Sequence, residues 1–294
     1  MIDNDALKYF YIPKGYNSFR KIVTYGNNTS GLKLKQNHKM MNDILIKNIS
    51  FSKFTKAYVK ESSIIKNAKC HLYNNTFIQI DIKNFFQSIN HHKLLNILFF
   101  EINKNKHYFI PKEDCLKFLN TCYCSSKGLP IGLVISPTLA NIYMKSFDNI
   151  LYSKLKEIGL ENVIYTRYAD DMTFSGDFNP GQIISFIKKE LNRLGLKLNE
   201  GKIRTRCIWQ RQEVTGIVVN EKMQLPKVTR KKIRQEMYYI KKFGLESHME
   251  HCKIKIENYI YHLRGKIQYA LFINPYDDEL KGYLEYLEKE YSDY

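Results

Sequence analysis

A chain of 294 residues with 44% hydrophobic and 14% aromatic content can bury one sizeable core or two to three small lobes, which excludes a disordered polyelectrolyte. Lys and Arg number 46 against 29 Asp and Glu, and the formal charge of +17 favours a polyanionic partner, either nucleic acid or an acidic membrane surface. No apolar run approaches the roughly 20 residues that span a bilayer, and the acidic start MIDNDALKYF has no apolar leader core, so a cytoplasmic location is expected.

In chain order, residues 8–25 read as a hairpin, with Phe19, Ile22 and Val23 alternating on the second arm. Helices are expected over 38–49 and 91–102. Between them TFIQIDI (76–82) places Ile78, Ile80 and Ile82 on one strand face. Ser136-Pro137 is expected to open a helix, Ser as cap and Pro in the first turn, that runs on through Leu139, Ile142, Tyr143, Phe147, Ile150 and Leu151. VIYTRYADDMTFSG (163–176) reads as two strands around Ala169-Asp170-Asp171, and EVTGIVVN (213–220) as a further strand of the same sheet. From Pro226 the pattern becomes three helices, the first rich in Lys and Arg. This change places a domain boundary at 225/226, with α/β (α+β) structure before it and a helical bundle after it.

The six cysteines are scattered, and a reducing compartment argues against disulfides. Cys115, Cys122 and Cys124 lack the pairing and the nearby His that a zinc site needs, so they read as free thiols. His107, His248, His251 and His262 read as structural or solvated.

The carboxylates carry the chemistry. Asp81 interrupts the apolar strand IQIDI, where an unpaired charge costs several kcal/mol. Asp170 and Asp171 sit at a hairpin tip, where Asp is also an ordinary turn residue. If the strands are neighbours, three carboxylates meet at one sheet end and need cations. Mg²⁺ suits them, because it binds one or two carboxylates and leaves room for phosphate oxygens. Two such ions about 3.5–4 Å apart are a recurring arrangement for phosphoryl transfer.

YADD (168–171), preceded by IQIDIKNFFQSIN (78–90) and GLPIGLVISPTLAN (128–141) and followed by LGLKLNEGKIR (194–204), resembles in order and spacing the palm of a reverse transcriptase. Asn67-Ala68-Lys69-Cys70-His71 and Val214-Thr215-Gly216 are similar to two elements of the retron group. The resemblance implies a right-hand polymerase with fingers and an antiparallel palm over 1–225 and a helical thumb over 226–294. It implies that Asp81 and Asp170 bind two Mg²⁺ directly and that Asp171 shapes the local field.

By the same resemblance Phe86 lies under the incoming sugar and excludes a 2′-hydroxyl. Lys14 and Arg20 (or Lys21 in its place) reach the triphosphate, Gly132 belongs to the nucleotide-binding turn, and Lys202 holds the catalytic carboxylates. Ile131 departs from the family's Gln. Asn67, His71, Val214, Thr215 and Gly216 are assigned to the lineage's RNA, and Lys227, Arg230, Lys231 and Arg234 to template–primer phosphates. Tyr238, Tyr239, Tyr259 and Tyr261 read as packing or stacking residues.

The implied activity is RNA-directed DNA synthesis from deoxynucleoside triphosphates. The chain would copy part of its own structured non-coding RNA (msr-msd type) from the 2′-hydroxyl of a guanosine into branched msDNA, in an antiphage retron with a separate effector protein. The alternatives are a catalytically silent RNA-binding scaffold and a differently primed defence polymerase.

Overall fold

The computed structural model describes residues 4–15, 18–104, 109–123 and 128–291; Cys124 and His107 lie outside them. In chain order the elements are β1 (Leu7–Gly15), β2 (Ser18–Tyr25), α1 (Thr29–Asn48), α2 (Ile64–Lys69), β3 (Thr76–Asp81), α3 (Phe85–Ser88), α4 (His91–Asn103), α5 (Lys112–Cys122), α6 (Ser136–Glu157), β4 (Ile164–Tyr168), β5 (Asp171–Gly176), α7 (Pro180–Leu194), β6 (Arg204–Cys207), β7 (Glu213–Val214), β8 (Ile217–Val218), α8 (Lys227–Phe243), α9 (Leu245–His251), α10 (Tyr259–Ile273) and α11 (Asp278–Glu290). They gather into two compact units. One joins the described residues up to Ser62 with Thr76–Thr205, and the other joins Ser63–Asn75 with the chain from Arg206 onward. The compositional change at 225/226 therefore falls inside the second unit, at the foot of α8.

In the first unit β1 and β2 form an antiparallel hairpin, and β3 and β5 pair antiparallel in a sheet of order β4-β5-β3-β6. Ile78, Ile80 and Ile82 are fully buried, and so is Phe77 on the opposite face, so β3 is covered on both sides. Each such apolar side chain contributes about 1.5–3 kcal/mol of burial. Helix α7 shows how the sequence sets an element. Asn179 accepts from the Gly181 N–H, Pro180 occupies the first turn, and Gly195 ends the helix at φ +82°, a left-handed cap that glycine adopts without strain. Its Ile183, Ile187 and Leu191 recur at i, i+4, i+8 and all enter the core.

The start of α6 differs from expectation. Ile135 is the flanking residue, Ser136 lies inside the first turn, and its buried Oγ has no hydrogen-bond partner. A helical φ at Ser136 carries the hydroxyl away from the free N–H groups that it was expected to cap.

A backbone tie links the β1–β2 hairpin to the loop before α6. The Val23 N–H donates to the Ile131 carbonyl at 2.8 Å, and Gly132 follows at φ +113°. A Cβ on Gly132 would stand 2.3 Å from the Val23 carbonyl oxygen, so only glycine fits there.

In the second unit, EVTGIVVN does not extend the main sheet. It folds into the separate hairpin β7–β8, because Thr215 (φ +48°) and Gly216 (φ +85°) turn the chain within two residues. The helical region also divides once more than expected. The second anticipated helix is interrupted between α9 and α10, where Lys253 and Asn258 take positive φ. Among the described helices none is long and apolar enough to cross a membrane.

Candidate active site

Strand register brings the carboxylates together. Asp81 ends β3 directly opposite Asp171 on β5, and the Ile82 N–H donates to the Asp170 carbonyl at 3.1 Å. Asp171 also pairs with Tyr168 across the hairpin, leaving Ala169-Asp170 as a two-residue turn with Ala169 at φ +58°. An alanine in that region costs roughly 1–2 kcal/mol, so something must hold it.

That support is Arg167. Its guanidinium donates from Nη1 to the Ala169 carbonyl at 3.1 Å and to Asn141 Oδ1 at 3.2 Å. The same group meets Asp148 of α6 with Nε to Oδ1 at 2.9 Å and Nη2 to Oδ2 at 2.8 Å. Tyr165 donates to Asp148 Oδ1 at 2.8 Å, and Asn141 is further held by the Thr55 hydroxyl and the Ala57 carbonyl. A wholly buried ionic frame thus seats the turn from behind.

On the other side the chain after α7 runs beside β3. The Lys83 N–H donates to the Lys197 carbonyl, and the Asn199 N–H to the Asp81 carbonyl, both at 2.8 Å. This alignment sets Asn199 Nδ2 2.7 Å from Asp81 Oδ1 and Lys202 Nζ 2.8 Å from Asp81 Oδ2. Asp81 is buried (8% exposed) and has a cation and an amide on its two oxygens.

The turn carboxylates are less well compensated. Removal from bulk water raises the pKa of Asp170, with Asp81 adding to the rise and Lys202 and Arg20 opposing it. Asp171, which keeps an exposed edge on β5, is pushed up to about 6 by partial loss of water, then by Asp170 and Asp81, with Lys202 and Arg204 opposing. Both shifts come first from desolvation, with the neighbouring carboxylates adding to it and Lys202, Arg20 and Arg204 offsetting part.

Among the described residues no three His, Cys, Asp or Glu side chains converge into a ready-made metal cage. The donor set nonetheless suits Mg²⁺, a hard ion that takes few carboxylates and completes its shell with water and phosphate oxygens. Crowded, partly desolvated carboxylates such as Asp170 and Asp171 are the condition that such an ion relieves.

The other expected positions distribute as follows. Phe86 is half-buried in α3, edge-on to the buried Phe85 at 5.3 Å, and its carbonyl accepts the Leu129 N–H at 2.8 Å. Lys14 and Arg20 are exposed on the β1–β2 hairpin, and Arg20 contributes to the field at Asp170. Lys21 instead lies 4.0 Å over the Tyr9 ring.

In the second unit Asn67 and His71, assigned to RNA by the resemblance, are 1% and 0% exposed. They lie inside the packing of α2 against β7–β8, with Val214 buried beside them and Thr215 Oγ1 3.4 Å from the Ile64 carbonyl. Only the Thr215-Gly216 tip reaches solvent. On α8, Arg230 and Arg234 both make ion pairs with the start of α11. Arg230 pairs with Asp277 at 2.7 Å, and Arg234 grips Glu279 at 2.6 and 2.7 Å. Lys227, Lys231 and Arg234 are exposed, and Arg230 is half-buried.

Sequence reasoning missed Arg167, Asp148, Asn141 and Asn199, and also Tyr58, whose pKa is raised by burial and then by Tyr168 and Asp170. Asn199 had a signal, since it stands in the LKLNEGK string that pointed to Lys202. Tyr58 had none.

Comparison with known proteins follows this geometry. The family described as reverse transcriptase (RNA-dependent DNA polymerase) matches residues 13–253. The chain is 30% identical over 262 residues to the retron Ec73 reverse transcriptase of Escherichia coli, covering 84% of this chain and 78% of that one. It is 28% identical over 252 residues to the retron Ec86 reverse transcriptase of the same organism, covering 84% and 71%. Among solved structures, telomerase from Candida albicans in complex with a TWJ fragment of telomeric RNA superposes with TM-score 0.56 at 12% identity, over 98% of this chain. Telomerase from Candida tropicalis with the same kind of fragment gives 0.55 at 12% identity, over 96%. This chain spans 64% and 54% of those two telomerase chains, and the likeness is one of fold.

Proposed function

Because this chain belongs to the reverse transcriptase (RNA-dependent DNA polymerase) family, alongside retron reverse transcriptases, we propose that it copies part of its own structured non-coding RNA into DNA. The observation that carries this reading is the meeting of Asp81, Asp170 and Asp171 at one sheet end, with Asp81 opposite Asp171. In this reading fingers and palm span 1–225 and the thumb 226–294. Synthesis begins at the 2′-hydroxyl of a guanosine and leaves branched msDNA.

Magnesium held by Asp81, Asp170 and Asp171 would favour the ionised primer hydroxyl and offset charge on the departing pyrophosphate. The protein's own part is placement. Lys202 and Asn199 fix the Asp81 carboxylate, and the Arg167 frame fixes the turn that carries Asp170. Arg20 and Lys14 supply mobile positive charge for a triphosphate, and the half-buried Phe86 supplies a wall against a 2′-hydroxyl. Gly132 holds the hairpin to the loop before α6, which keeps those cations near the turn.

The chain acts in the cytoplasm as a ribonucleoprotein, with a separate effector protein in an antiphage system. Membership of the RNA-dependent DNA polymerase family and a +17 charge support the polynucleotide partner. The test is to express the protein with its flanking DNA, purify it, and analyse the nucleic acid that accompanies it. A DNase-sensitive species joined to RNA, absent when Asp170 and Asp171 are replaced by Asn, is the expected result. RNA alone, unchanged by that double substitution, would instead identify a catalytically silent scaffold.

A further inference from the structure

The chain contains one tryptophan, Trp209, and it is 90% exposed. Large aromatic rings are seldom left that open, because an indole removed from water gains more than almost any other side chain. Trp209 is also not on a loose segment. The Gln210 N–H donates to the Cys207 carbonyl at 2.9 Å, and Gln210 Oε1 accepts from the Cys207 N–H at 3.2 Å, closing the turn on itself.

Asn220 then locks it from below. Its Nδ2 donates to the carbonyls of Ile208 and Gln210 at 2.9 and 2.8 Å, and its Oδ1 accepts from the Gln212 N–H at 2.9 Å. Gln212 is wholly buried and donates to the Asn74 carbonyl at 2.9 Å. The second unit therefore uses two buried or half-buried amides to hold one ring out in water. A rigid, pre-set aromatic is the form in which a stacking contact loses least entropy on binding.

We propose that Trp209 is a stacking anchor for an unpaired base of single-stranded nucleic acid. Its surroundings favour a base over a protein surface. The turn offers only Ile208 (40% exposed) as apolar company, and two positions on, Arg211 is an exposed cation in a 3.3 Å pair with Glu213. A flat ring with a guanidinium nearby on a chain of charge +17 suits a base and its phosphate. A protein partner would call for a broader apolar patch. The inference rests on the polynucleotide reading above but does not depend on catalysis.

Because no other residue contributes indole emission, the full chain reports on the contact directly. It is titrated with unlabelled single-stranded oligoadenylate of about a dozen nucleotides, as RNA and as DNA in separate arms. Binding of labelled copies is followed in parallel by anisotropy. The expected result is saturable quenching of Trp209 at the anisotropy midpoint, with W209A binding roughly five- to a hundredfold more weakly and W209F between the two. The arm with the larger quench identifies RNA or DNA as the stacked strand.

Normal anisotropy with unchanged emission and unaltered W209A affinity overturns the anchor and leaves the polynucleotide reading standing. Shielding of Trp209 only by a co-purified protein overturns it in favour of a protein site. No binding of either oligonucleotide overturns the anchor, while the reading of a structured RNA partner is judged by the nucleic acid that co-purifies with the chain. Thermal unfolding of W209A at the wild-type temperature excludes misfolding as the cause of weakened binding.

Discussion

Arg167 and Asp148 face each other through two parallel hydrogen bonds of 2.8 and 2.9 Å, with both side chains wholly excluded from solvent. Removing one member of such a pair strands the other charge and costs about 3–5 kcal/mol, whereas replacing both with apolar groups of similar shape costs far less. R167M and D148L should each lower stability by that order in denaturant unfolding. The R167M/D148L double variant should recover much of the loss. Polymerisation should not recover with it, because the Ala169 carbonyl no longer has its Nη1 donor. Restored activity in a restored fold would show that the turn does not need Arg167.

Crowded carboxylates should make the active site a stability liability. Asp81 opposes Asp171 and Asp170 adjoins both, so the folded state carries repulsion that the unfolded chain does not. In chelator near neutral pH, D170N and D171N should each raise the melting temperature by a few degrees. Millimolar Mg²⁺ should raise that of the wild type and leave the double variant unmoved. Differential scanning fluorimetry reads both. An identical Mg²⁺ response in the double variant would place the ion elsewhere.

His38 supplies a pH dependence remote from the site. The Tyr25 hydroxyl accepts the Val134 N–H and therefore donates to His38 Nδ1, at 2.9 Å. Thr121 donates to the Phe118 carbonyl, so the His38 Nε2 proton points at Thr121 Oγ1, at 3.2 Å. A neutral ring fits this chain of bonds, and a second ring proton does not. Burial lowers its pKa from 6.5 to about 4. As pH falls, the unfolded imidazole takes its proton first, so stability is full above 6.5, declines between 6.5 and about 4, and levels below. The loss is on the order of 3 kcal/mol. H38Q should remove this slope from urea midpoints measured across the range.

Gly132 should tolerate nothing larger. G132A combines an unfavourable φ with a 2.3 Å approach to backbone, so we expect a loss of roughly 2 kcal/mol or more. G159A, at φ +75° with open space around it, should cost about 1 kcal/mol. Equal midpoints for the two variants would mean that the contact between Gly132 and Val23 is not a rigid one.

The clustered carboxylates were legible because their setting is local. Period-two alternation marks β3 and β5, and an aspartate inside each pattern stands out against it. Lys202 was legible through its neighbours in LKLNEGK. Arg167 was not, because one arginine in a short strand reads as an edge cation, and its partner Asp148 belongs to a helix with no pattern announcing the meeting. The burial of Asn67 and His71 was equally hidden. Helix α2 spans only Ile64–Lys69, too few turns to display a buried face. The ion pairs of Arg230 and Arg234 were hidden as well, because a helix crowded with cations gives no sign that Asp277 and Glu279, at the start of α11, pair with it.

The second unit is assembled from two stretches separated by Thr76–Thr205, an excursion of 130 residues. On a ribosome adding about 5–20 residues per second, α2 emerges on the order of ten seconds before β7–β8 exists to receive it. Until then the apolar side of α2, with Asn67 and His71, has no covering. The first unit must therefore fold around a pending segment, and any element of it that captured α2 would trap the nascent chain. A break introduced at 225/226 yields two pieces that both lack part of this unit, whereas a chain ending at Thr205 carries the whole of the first unit with one short orphan helix.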